Sequence, residues 1–131
     1  MGLYDAVPVP PQDEGKADPV RLLRDRFPAF SQSFGDPDNA DPETAEPYYS
    51  YSRLVEWVLA KKDDKALLQK VSSFINELIL SKDNLLEELA IIEVLEGLAQ
   101  DPDMILELSP LLVPEAQSAL KKVERRMYGR F

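Results

Sequence analysis

The sequence predicts an all-α protein, a compact bundle of five to six helices. Three observations carry this. Leucine occurs 19 times and threonine once in 131 residues, a balance that favours helix over strand. No stretch alternates apolar and polar residues for long, and no Asn-Gly or Asp-Gly pair marks a hairpin. Eight of the 11 prolines lie at or before Pro47 and none between 48 and 101, so the middle of the chain is free of helix breakers. A chain of this length suits one domain. Residues 1–17, with Pro8, Pro10 and Pro11 and few large apolar groups, read as a flexible N-terminal arm. Residues 18–131 read as the single helical domain.

The elements follow in order. Asp18 can cap a first helix with Pro19 at its first position. Val20, Leu22, Leu23 and Phe27 give that helix an inward face, and Pro28 ends it. Phe30 and Phe34 anchor the chain beyond. After an acidic loop, GDPDNADPETAE over 35–46, a second helix begins near Pro47. Tyr51, Leu54, Val55, Val58 and Leu59 fall at helical spacing, and Lys61 and Lys62 suit its carboxyl end. A third helix opens at Asp63 or Asp64 and stops near Ser81. Leu67, Leu68, Val71, Phe74, Ile75, Leu78 and Ile79 make its apolar face.

A fourth helix starts at Asp83 or Asn84, with Asn84 and Glu87 placed for a capping box. Its apolar residues point in nearly every direction around a regular α-helix, as expected of a central element. Gly97 either admits a neighbouring helix or marks a weakening end. Asp101-Pro102 opens a short helix through Leu108. Pro110 and Pro114 precede a last helix that buries Ala116, Ala119, Leu120, Val123 and Met127 and stops at Gly129. KKDDKALLQKV at 61–71 is echoed by SKDNLLEELAI at 81–91, and Asp101 begins a third beat. That spacing admits an alternative arrangement, α-solenoid-like helix pairs.

The chain has no cysteine and no histidine, which removes disulfides, thiol nucleophiles, imidazole bases and nearly every zinc, copper or haem site. The acidic loop fails the EF-hand pattern, because Asp41 stands where glycine is needed and Pro47 where glutamate is needed. Ser118 and Lys121 match S-x-x-K without its companion motifs. Glu87/Glu88 and Glu93/Glu96 pair carboxylates on a helix with no Gly-rich loop or phosphate motif beside them. Neither catalysis nor a metal or other cofactor is therefore expected. The first residues lack a basic and an apolar region, and 18 apolar residues nowhere run together. The expectation is a cytoplasmic protein without a membrane span.

Net charge is −9, from 24 acids against 15 bases. Such a surface disfavours nucleic acid and anionic membranes and favours a protein partner with a basic surface. The competing reading is that acidity only maintains solubility. Nine acids and no base lie between Asp83 and Glu115, whereas Lys121, Lys122, Arg125, Arg126 and Arg130 crowd the end. This polarity fits either a docking face or a basic last helix packed beside an acidic one. Aromatic residues commonly anchor interfaces, and Tyr48 and Tyr49 flank the apolar stripe of the second helix. The candidate partner-binding residues are therefore Asp36, Asp38, Asp41 and Glu43 in the loop, then Tyr48 and Tyr49, then Glu87, Glu88, Asp101, Asp103 and Glu107.

The order of segments is distinctive: RFPAF at 26–30, EPYYSYSRLVEWVLAKKDD at 46–64, FINELILSKD at 74–83 and NLLEELAIIEVLEGLAQD at 84–101. It resembles small all-helical bacterial immunity proteins that occur beside polymorphic toxins. The resemblance covers roughly residues 20–105 and is most specific at Phe27-Pro28, Tyr48-Tyr49 and Leu95-Glu96-Gly97-Leu98. The N-terminal arm and the basic last helix fall outside it. It implies a cytoplasmic protein that binds and neutralises a cognate toxin. The alternative is a helical adaptor or regulatory module that uses the same surface for another partner.

Overall fold

Aspartates open four of the helices. The side chain of Asp18 accepts from the amides of Val20 and Arg21, Asp64 from Leu67, Asp83 from Leu86, and Asp101 from Asp103 and Met104. Each supplies an acceptor to amides that the helix itself cannot satisfy. The computed structural model describes residues 18–33 and 47–129. Within them lie α1 (Pro19–Arg26), α2 (Pro28–Ser33), α3 (Pro47–Leu59), α4 (Lys65–Leu80), α5 (84–98), α6 (Pro102–Leu108) and α7 (Pro114–Tyr128). A 3-10 turn at Ser109–Leu111 joins the last two. No strand occurs among the described residues. Phe34 and the acidic loop lie outside them.

Among the described residues seven helices stand where five to six were expected, and α2 is the addition. Phe27 breaks the helical run with φ −132° and ψ 67°, outside the α region that a following proline disfavours. Pro28 then serves as the first residue of a new short helix instead of only ending the old one. The cap of α5 is also one residue earlier than the Asn84 capping box: Asp83 accepts the Leu86 amide at 3.0 Å. Gly129 ends α7 in the left-handed region, φ 70°, as the sequence suggests.

The fourth predicted helix is not regular. α5 is α-helical over Asn84–Glu88, takes π hydrogen bonding over Leu89–Leu95, and returns to α over Glu96–Leu98. This explains its all-round apolar pattern. Leu86, Ala90, Val94 and Leu98 recur every fourth residue, and all four are buried. A period of four drifts around an α-helix of 3.6 residues per turn. The wider π register cancels much of that drift and keeps the four on one side.

α5 is the hub. It packs against α3, α4 and α7, and α4 in turn touches α6 and α7. The helices thus gather round one rod and do not stack as successive pairs. Val55 of α3 lies against Gly97, where an added Cβ would come within 2.7 Å of its Cγ1. The glycine is there because α3 comes close. One turn earlier on α3, Tyr51 is fully buried, stacks on Phe74 at 5.9 Å and donates a 2.8 Å hydrogen bond to the Pro19 carbonyl. Phe27 meets Phe74 edge-on at 5.2 Å. These contacts fasten α1 to α3 and α4. Burial raises the Tyr51 phenol far above its ordinary range, with Glu77 and Asp18 adding to it, so the side chain stays a neutral donor.

Candidate functional site

The base-free run from Asp83 to Glu115 does not form one face. It divides into two regions at opposite ends of α5. Glu88 and Asp101 are 13 residues apart, which along a helix is roughly 15–20 Å.

At the first end, Tyr48 donates a short hydrogen bond from its hydroxyl to Glu88. A phenol satisfies the carboxylate's geometry and leaves its charge in place. Tyr49 is 57% exposed beside it in the chain. Leu85, Glu88 and Ile92 are each exposed along the first half of α5. Leu85 and Ile92 are 39% and 41% exposed. Glu87 is exposed on the same turn, flanking Glu88, and among the described residues no lysine or arginine pairs with either glutamate.

At the other end, Asp101, Asp103 and Glu107 surround the start of α6. Lys62 Nζ lies 3.1 Å from Asp101, and Lys65 Nζ lies 2.5 Å from Glu107. Hydrogen bonding from Lys62 is the main reason that the Asp101 carboxyl sits below its usual range, with the Met104 and Asp103 amides acting in the same direction. Leu106 is 74% exposed on this corner. A shallow open cleft of about 270 Å³ runs between Lys62, Lys65, Met104 and Glu107. That is below the usual range of small-molecule sites. Glu107 is thus neutralised within the chain, and Asp101 caps a helix besides pairing with Lys62. Asp103 is exposed.

Between the two ends, Arg126 of α7 pairs with Glu96. A basic last helix does pack beside an acidic one, as one of the two sequence readings holds. Glu93 lies half-buried in the π segment, where desolvation first and the Glu96 charge second raise its carboxyl above the ordinary range. No group of three or more acidic residues close enough to hold a metal ion occurs among the described residues. Asp36, Asp38, Asp41 and Glu43 lie outside the described residues.

Sequence reasoning missed Leu85, Ile92 and Leu106 as surface residues. Leu85 and Ile92 read as core because α5 was treated as a regular helix. Leu106 could have been found, because it sits between Asp103 and Glu107 on a short helix whose inward positions are Met104 and Leu108.

Fold and surface together define an all-helical domain whose outward groups are carboxylates, tyrosines and leucines around one irregular central helix. The chain belongs to the DUF7674 family, a domain of unknown function whose model matches residues 20–129. That span takes in α7, which the immunity-protein resemblance left out and which packs on α4 and α5. No curated protein and no solved structure matches the chain. No helix among the described residues is long and apolar enough to cross a membrane.

Proposed function

We propose that this protein is a cytoplasmic immunity protein that binds and neutralises a cognate bacterial toxin through its acidic and aromatic surface. The observation that carries the reading is the end of α5 beside Tyr48. Two exposed glutamates without a cationic partner among the described residues stand there with Tyr49, Leu85 and Ile92. Uncompensated charge steers and selects a basic partner, and exposed aromatic and aliphatic groups supply the contact area. Inhibition by occlusion needs only a rigid face of this kind, with no catalytic group and no cofactor. A wrong toxin is rejected where its own acids meet Glu87 and Glu88.

The test is co-expression with the product of the adjacent gene. Growth rescue together with a stable complex on pull-down is the expected result. A chain that neither protects nor binds would instead leave a helical adaptor with a different partner.

A further inference from the structure

We infer that the outward side of α5, from Leu85 to Ile92, is a docking strip for a cationic amphipathic helix of a partner protein. The biological identity of that partner rests on the toxin-binding reading above; the chemistry of the strip does not.

Three arguments lead to this occupant. The first is charge. Exposed leucine stands near acids at both ends of α5, but the α6 corner carries its own lysines within 3.1 Å or less. At the α5 strip, Glu87 and Glu88 have no such cation among the described residues, and Tyr48 holds Glu88 by a neutral hydroxyl. A complementary surface must therefore bring positive charge.

The second is shape. Leu85 and Ile92 are seven residues apart on α5 and both exposed, a span of about 10 Å along the rod. A second helix meets such a ridge by placing apolar residues at the same spacing on either side of it. A peptide that adds as a β-strand would need a free sheet edge, and no strand exists among the described residues.

The third concerns a second copy of this chain. Strip against strip would set Glu87 and Glu88 beside their own equivalents. The exposed bases of α7, Lys121, Lys122 and Arg125, lie on its polar side, while Ala116, Leu120 and Val123 are buried inward. That side offers charge without the apolar row.

The experiment uses two synthetic peptides of identical leucine and lysine composition, about five helical turns long. One places its leucines along one helical side and the other scatters them. Each is titrated into the isotope-labelled full chain and followed by amide chemical shifts. The expected result is saturable shifts centred on Tyr49, Leu85, Glu88 and Ile92 with the first peptide, and at least about tenfold weaker binding with the second. Leu85→Lys with Ile92→Lys should abolish binding, Glu87→Gln should weaken it several-fold, and Leu106→Lys should leave it unchanged. Circular dichroism checks that each variant is folded. Equal affinity for the two peptides, shifts centred on α6, or no shift at all would overturn the inference.

The outcome separates from the toxin reading. A chain that takes the peptide on this strip but gives no protection keeps the strip and loses the immunity role. A Leu85→Lys/Ile92→Lys variant that still protects loses the strip and keeps the role.

Discussion

The two ends of α5 make an instructive contrast. Both come from one base-free stretch of sequence, both expose leucine, and both present carboxylates. They differ in what surrounds them. The α6 corner receives Lys62 from the turn after α3 and Lys65 from the start of α4, so two of its acids are paired within the chain. The α5 strip receives tyrosines from the start of α3, so its acids keep their charge. Charge along a sequence therefore says little about charge at a surface. What matters is which element the fold brings alongside.

The contrast can be broken most sharply at Gly97. Gly97→Ala drives a methyl into Val55 and should destabilise the protein by about 1–3 kcal/mol in chemical unfolding. Val55→Ala in the same chain should recover part of that loss, because the clash is with the valine itself. The seam between α3 and α5 carries Tyr48 to Glu88, so amide shifts around Glu88 should move while those around Lys65 and Glu107 stay.

Next in size is the cap of the strip's own helix. Asp83→Ala should cost about 1 kcal/mol. Just before it, Lys82 sits in the left-handed region at φ 64°, where a β-carbon is disfavoured. Lys82→Gly should therefore stabilise the protein, by up to about 1 kcal/mol.

Two smaller effects are read by pH. The Asp101 carboxyl is held low by Lys62, so the stability it contributes is present above the carboxylate range and is lost as the pH falls through it. Asp101→Asn keeps a capping side chain and removes that titration. The acid limb of the stability curve should flatten. Glu93 has the opposite sign. Its carboxyl is raised, so the protonated form is favoured in the fold and stability falls as the pH rises through the upper carboxylate range. Glu93→Gln should be more stable than the parent at neutral pH and indistinguishable from it in acid.

Much of this fold was legible in the sequence because its signals are local. Asp18-Pro19, Asp64, Asp101-Pro102 and Gly129 each mark a helix end within a turn of the residue concerned, and all four act as read. The apolar face of α4 is buried as its spacing suggests, from Leu67 to Leu78. Pro28 misled because proline ends one helix and begins another equally well. The surface was far less legible. Lys62 meets Asp101 across 39 positions and Tyr48 meets Glu88 across 40, and nothing at either residue announces the other. Asp101 was legible as a helix cap, and the lysine that also holds it was not.

The π register of α5 implies that this helix is longer in residues than in length. Between Leu89 and Leu95 the backbone accommodates more residues per turn than its neighbours do. The segment is therefore where the chain can best absorb a change in its own count. A single deletion there can relax the winding to the ordinary α form, while the same deletion in α4 would turn every later side chain by about 100°. Related sequences that differ in length within a helix should differ here first.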